Sequence, residues 1–295
     1  MSSWMAPDGD RTTRLRELIE GPDLILAPGA YDALSARLVE ETGFSVVYMT
    51  GFGTAAGRIG RPDVGLLTLT EMADQARRLV DAVRIPVIAD GDTGYGNPLN
   101  VIRTVKEYER AGVSGIQLED QVIPKKCGHM SGKAVISVSE MVAKLQAAVD
   151  ARTQNTVIIA RTDALAVEGL NAAIERAARY YEAGADMLFI EAPEHTDQIR
   201  RLAFSFPEVP LVFNWAEGGK TPPLSRKEIV EMGFKLVIFP LSTLFSATAA
   251  MRQVLQVIYR SGTPAVVMDQ LVRFDEFLRF IGLPEIHELE QRYRS

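Results

Sequence analysis

The chain has 295 residues, 47% hydrophobic and 24% charged, the proportions of an ordinary globular protein with room for a large core. A formal net charge of -6 argues against nucleic acid as the main partner. The lone cysteine excludes an internal disulfide and fits a reducing cytoplasm.

Residues 1–14 carry Asp8, Asp10, Arg11 and Arg14 and no apolar run, so they read as a loose tail rather than a signal peptide. No apolar run in the chain is long enough to span a membrane. From residue 15 one rhythm repeats: a short apolar run, a polar or glycine-bearing loop, then an amphipathic helix. Strands are expected over 24–28, 46–50, 86–90, 115–119, 156–161, 187–191, 210–214 and 235–239. Their continuous apolar character predicts burial on both faces, as in a parallel sheet. Helical patterns occupy 32–41, 70–83, 101–111, 139–152, 169–183, 196–206 and 226–232. Gly43, Gly112, Gly184 and Gly233 sit where a helix should end and turn into the next strand.

Alternating strands and helices allow an open doubly wound sheet or a closed barrel. Eight units favour a (β/α)8 TIM-type barrel, taken as one domain over residues 15–295. The helical segment 241–295 exceeds what barrel closure needs. Its apolar residues, among them Leu255, Ile258, Phe274 and Phe277, require a further surface, so a dimer or tetramer is expected.

Polar residues gather at strand ends: Thr50, Asp90, Asp92, Glu119, Arg161, Glu191 and Asn214. In a barrel these converge on one mouth, where active sites sit. Asp90-Gly91-Asp92 and Glu119 form a hard-cation pattern without histidine or cysteine ligands; the alternative is a polar loop whose aspartates cap the next helix. Of Glu119 and Asp120, only one can face the mouth. Thr50 and Gly51, in Tyr48-Met49-Thr50-Gly51-Phe52-Gly53, suggest an anion cradle. Arg161 suits a carboxylate, or pairs with Asp163 or Glu191. Cys127 lies in Lys125-Lys126-Cys127-Gly128-His129, a neighbourhood expected to favour the thiolate or a thiol ready to exchange a proton. A cation to stabilise an enolate and an acid to protonate it suit carbon–carbon lyase chemistry. Asp92 is expected to be an exposed carboxylate at the mouth.

These motifs resemble the isocitrate lyase / phosphoenolpyruvate mutase superfamily over nearly the whole chain. The anchors are Pro28–Asp32, Tyr48–Gly51, Pro62-Asp63, Asp90–Gly96, Glu119–Gln121, Lys125–His129, Ala160–Ala164 and Thr221-Pro222. Lys-Lys-Cys-Gly-His is similar to the lyase branch, of the 2-methylisocitrate lyase and 2,3-dimethylmalate lyase kind. The resemblance implies extra C-terminal helices, the terminal one swapped, and a cytoplasmic homotetramer built as a dimer of dimers. It implies Mg²⁺ or Mn²⁺ on Asp90, Asp92 and Glu119, some through water, with Asp63 one step outside. It also implies a small carboxylate substrate, a 2-hydroxy di- or tricarboxylate cleaved to pyruvate and a carboxylic acid such as succinate or propionate. Thr50, Gly51, Phe52 and Arg161 would bind the substrate carboxylate, and Tyr48 is a candidate for the base. Cys127 would be the acid at carbon, with Gly128 beside it, and Lys126, His129, Glu191 and Asn214 would hold the departing carboxylate. Phe52 and Trp215 are bulkier than the methylisocitrate lyase pattern. The alternatives are an oxaloacetate hydrolase or decarboxylase, a phosphonate P–C enzyme of the carboxyphosphonoenolpyruvate mutase kind, and a non-catalytic metabolite-binding barrel. The metal carboxylates with Cys127 argue against the last.

Overall fold

A computed structural model of the chain describes residues 9–294. Its strands are β1 (Ile25–Ala30), β2 (Val47–Met49), β3 (Val87–Asp90), β4 (Gly115–Glu119), β5 (Val157–Thr162), β6 (Met187–Ile190), β7 (Leu211–Asn214) and β8 (Leu236–Phe239). Each pairs with the next in parallel, and β8 returns to β1 through Ile25↔Leu236 and Ala27↔Ile238, closing the barrel. The expected strands all form, within two residues at their ends.

Side chains alternate across a strand, and here the alternation separates two cores. Ile25, Ala27, Val46, Ile88, Ile159, Phe189, Val212 and Leu236 belong to one buried cluster that fills the barrel. Val47, Val87, Ile116, Leu118, Ile158 and Ala160 belong to another, with helix residues such as Leu79, Val105, Leu145 and Ala177. Strands buried on both faces therefore read as unbroken apolar runs. The four helix-ending glycines have φ of 99° (Gly43), 84° (Gly112), 100° (Gly184) and 84° (Gly233), the left-handed turn that a side chain disfavours.

Helices also form where none was expected, and two of them bear on the barrel. Helix Arg11–Glu20, capped by Asp10, begins inside the expected tail, and its Leu15 joins the cluster that fills the barrel. The rest of that tail, residues 1–8, lies outside the described residues. A second helix, Gly51–Ile59, follows β2 directly, where a glycine-bearing loop was expected. Thr50 caps it, accepting from the Gly53 amide.

Residues 10–244 form one compact unit, and residues from 245 onward belong to a second. The helix Ser242–Ser261, most of which lies in the second unit, has no buried residue. It is followed by a 3₁₀ turn (Ala265–Gln270) and helices Phe274–Phe280 and Leu283–Tyr293. Among the described residues, no helix is long and apolar enough to cross a membrane.

Candidate active site

The barrel interior sets the site. Val46, Ile88, Ile159, Phe189 and Val212 fill it, and two residues further along stand Tyr48, Asp90, Arg161, Glu191 and Asn214. The same period selects Glu119 over Asp120, two residues after Gln117. Gln117 Oε1 accepts from the Tyr48 hydroxyl at 3.2 Å, and its Nε2 reaches Asp90 Oδ1 at 3.4 Å. Asp120 points the other way and accepts from Thr162 Oγ1, the Asp163 amide and Tyr180.

Tyr48, Thr50, Phe52, Asp63, Asp90, Cys127, Gly128, His129, Arg161, Glu191 and Asn214 line one cavity of about 50 Å³, room for only a few waters. Ala216, Ile238, Pro240 and Leu241 add an apolar wall, which nothing in the motifs foretold. Gly51 lies behind it: a methyl group there would crowd Asp90 Oδ2, so glycine lets the helix Gly51–Ile59 start against that carboxylate. The N-terminus of this helix favours anions, which supports the expected cradle in a different form.

The lysine in the site is Lys125, and Lys126 is not. Lys125 Nζ stands 2.7 Å from Asp63 Oδ1 and 2.6 Å from Asp92 Oδ1, fully enclosed. Lys126 turns its ammonium to the Gly132 carbonyl at 2.9 Å, and its main chain is bracketed by the Gln121 amide group. Which of two adjacent loop lysines faces inward depends on the loop's path, and no period reveals it. Asp92 is buried rather than exposed, with a left-handed φ of 47°. It lines a second cavity, of about 370 Å³, that shares Lys125 with the first.

At the far wall, Arg161 places its fork on Asp163, Nε to Oδ2 at 2.9 Å and Nη2 to Oδ1 at 3.1 Å. It stands 3.4 Å from Glu119 and 3.9 Å from Glu191. The pairing weighed as the alternative therefore forms, while the guanidinium still lines the cavity. Asn214 Nδ2 donates to both Glu191 oxygens at 3.2 Å. His129 Nε2 lies 3.1 Å from Glu191 Oε1, and its Nδ1 accepts from the Lys220 amide at 3.0 Å. That amide bond places a ring proton on Nε2, facing Glu191. Burial alone would raise the Glu191 carboxyl, but Arg161 and the His129 hydrogen bond bring it down to about 2.

Burial pushes the Cys127 thiol up, with Glu191 adding to it. The His129 amide and Arg161 pull toward the thiolate, but burial outweighs them. Cys127 is thus a protonated thiol, the state that an acid needs. Burial, and then Asp90, push the Tyr48 phenol far up. It is placed to donate hydrogen bonds and does not rest as a phenolate base.

The fit of a cation rests on the carboxylates. Glu119 Oε1 is buried without a hydrogen-bond partner, a costly arrangement that a cation or its water would relieve. Burial raises Asp90 and Glu119, and raises Asp92 to about 6, the signature of negative charge short of compensation. Among the described residues, no three His, Cys, Asp or Glu side chains gather closely enough to enclose a metal ion. The donor set fits a hard ion that keeps much of its water, as Mg²⁺ does.

Residues 15–259 match the family model described as phosphoenolpyruvate phosphomutase. The chain is 47% identical over 283 residues to the 2,3-dimethylmalate lyase of Eubacterium barkeri, covering 96% of this chain and 98% of that one. It is 46% identical over 278 residues to the 2-methylisocitrate lyase of Aeropyrum pernix, covering 94% and 88%. A solved oxaloacetate acetylhydrolase bound to 3,3-difluorooxalacetate superimposes with a TM-score of 0.92 at 38% identity, covering 97% and 98%. A phosphonopyruvate hydrolase solved with oxalate and Mg²⁺ gives 0.88 at 32%, covering 96% and 99%.

Proposed function

Because this chain belongs to the phosphoenolpyruvate mutase / isocitrate lyase superfamily and is a carbon–carbon lyase within it, we propose that it cleaves a 2-hydroxy di- or tricarboxylate of the 2,3-dimethylmalate or 2-methylisocitrate type to pyruvate and a carboxylic acid such as propionate or succinate. One observation carries the reading. Cys127, whose thiol burial pushes up, lines one cavity together with Asp90, Arg161, Glu191 and Asn214.

Asp90, Asp92 and Glu119 would hold Mg²⁺ or Mn²⁺, some through water, with Asp63 and Lys125 behind them. When bound, the cation lowers the pKa of a 2-hydroxyl and neutralises an adjoining carboxylate. The chain supplies the rest. The helix N-terminus at Gly51 and Phe52, with Thr50 and Arg161, binds the carboxylate of the keto-acid half. Tyr48 donates a hydrogen bond beside it. The hydroxyl proton passes to solvent as the substrate binds; the C2–C3 bond of the resulting alkoxide then breaks, and its electron pair passes into the departing carboxylate. His129 and Asn214, arranged around Glu191, hold that end. Cys127 returns a proton from sulfur to C3 as general acid. The loop that carries it covers the cavity and keeps water from the carbanion-like fragment.

Exposed apolar residues beyond residue 245, including Leu255 (64% exposed), Tyr259 (93%) and Phe274 (78%), support a homotetramer, a dimer of dimers with exchanged terminal helices. A monomeric mass by light scattering at micromolar protein would reject that. A cytoplasmic location belongs to the same reading. A second activity, hydrolysis of oxaloacetate, is favoured by the likeness to oxaloacetate acetylhydrolase. Product release from 2-methylisocitrate, 2,3-dimethylmalate and oxaloacetate, assayed side by side with saturating Mg²⁺, separates the readings. Turnover of oxaloacetate alone would overturn the lyase assignment.

A further inference from the structure

Lys133 lies outside the cavity and outside every motif that carries the chemistry, yet it is among the most enclosed lysines of the barrel unit. Its side chain is 2% exposed and its ammonium stands 2.7 Å from Asp163 Oδ1, a carboxylate with no exposure. A buried lysine is costly unless its charge is met. Here a second bond shares the work: Lys133 Nζ also donates to the backbone carbonyl of Gly128, the residue that follows Cys127. The side chain therefore reaches back over five residues to grip the peptide beside the thiol.

The far end of this grip is the carboxylate that Arg161 grips with both arms of its fork. Asp163 accepts both forks of the guanidinium and is itself held by its own amide on Asp120 Oδ1 at 2.9 Å. The near end of the loop is fastened separately: the Cys127 amide donates to the Asp63 carbonyl at 3.1 Å, and Lys125 pairs with the Asp63 and Asp92 carboxylates. The cysteine segment is thus tied down at two sides. The tie at Lys133 is made by a residue with no part in lining the cavity, as are those from Gln121 to the Lys126 main chain and from the Lys220 amide to His129, but it alone among these joins the segment to the carboxylate that Arg161 grips. The cavity beneath this segment has about 50 Å³, space for a few waters, so where the segment lies decides what the thiol meets.

We propose that Lys133 is the positioning residue for the Cys127 thiol: by bridging the Gly128 carbonyl to Asp163 it latches the cysteine loop onto the same carboxylate that aims Arg161, so that acid and carboxylate clamp are set in place together. Its effect on turnover rests on Cys127 being the carbon acid. Its effect on the loop does not, and the test reads the loop directly.

Cys127 is the only cysteine, so its alkylation by iodoacetamide reports on the loop without ambiguity and needs no substrate. Lys133→Gln should raise the alkylation rate at least about tenfold, as expected when a buried ion pair loses one partner. Lys133→Arg, which keeps a cation over Asp163, should restore most of the protection. Asp163→Asn breaks the same bond from the other side; it should give the same acceleration, and the double variant should add nothing further. If Lys133→Gln does not fold, Asp163→Asn alone decides. For a cleaved substrate, Lys133→Gln should lower kcat while inhibition by oxalate with Mg²⁺ stays near wild type. Alkylation within about twofold of wild type in a folded Lys133→Gln or Asp163→Asn protein overturns the latch, whatever the activity. Faster alkylation in a chain that cleaves none of the proposed substrates leaves the latch standing and removes the lyase reading instead.

Discussion

The α-carbon of Gly128 lies against the Glu191 carboxylate: a methyl group built on it would overlap Glu191 Oε1 and stand 2.5 Å from Arg161 Nη2. The loop that carries Cys127 can therefore reach the far wall of the barrel only because this position has no side chain. Gly128→Ala should push the loop off that wall. The expected result is a fall in kcat/KM of about 10²-fold or more, the scale of an ångström-sized misplacement, with the melting temperature almost unchanged. Steady-state kinetics and thermal unfolding on the same preparation check both halves.

Cys127→Ser should reduce turnover by roughly 10²–10⁴, the usual loss for a general acid. In the wild-type protein, burial raises the thiol above its ordinary value of 9.0. The rate of alkylation should thus still be climbing at pH 9, with its midpoint above that value. A midpoint near neutrality would mean a resting thiolate and would remove the acid role.

The two adjacent lysines should behave oppositely. Lys125→Met leaves Asp63 and Asp92 without their shared ammonium and should cost several kcal/mol of stability, about 3–5 for one partner of a buried pair, along with most activity. Lys126→Met loses only a bond to the Gly132 carbonyl and should retain kcat/KM within about threefold, as an exposed contact implies. Urea unfolding and kinetics on the pair would reverse this assignment if Lys126→Met proved the damaging change.

Exhaustive chelation should abolish turnover, and Mg²⁺ or Mn²⁺ should restore it. The basis is the buried Glu119 Oε1 without a partner and the raised Asp90 and Asp92 carboxyls. Asp92→Ala should be inactive even in excess cation and less stable than wild type, because it takes one partner from the buried Lys125 ammonium. Full activity after chelation, verified by metal analysis, would sink the requirement.

Stability should carry a pH signature from Glu191. Its carboxyl is lowered from 4.5 to about 2 in the folded protein, so the unfolded chain binds the proton first as acid is added. The contribution is fully present above pH 4.5 and is lost as the pH falls toward 2. The difference in unfolding free energy between wild type and Glu191→Gln should be flat from pH 7 to 5 and shrink below. A difference that grows on acidification would contradict the Arg161 and His129 pairing.

Periodic features were legible in the residues alone. Eight apolar runs, each buried on two faces, and helix-ending glycines such as Gly112 and Gly184 specified a closed barrel. Strand alternation then put Tyr48, Asp90, Glu119, Arg161, Glu191 and Asn214 at its mouth, because inward positions recur every second residue. The cysteine motif marked a loop that lines the same cavity. Tertiary structure alone decided what depends on the path of irregular segments. The run 122–135 has no repeating geometry, so no pattern could tell that Lys125 turns inward while Lys126 turns out, or that Lys133 returns to Gly128 and Asp163. The protonation states followed the same logic. The residues around Cys127 suggested a thiolate or a thiol ready to exchange a proton, and the resemblance suggested Tyr48 as a candidate base; burial and the partners reached in space raise both groups, since desolvation depends on the whole enclosure and not on the neighbours along the chain.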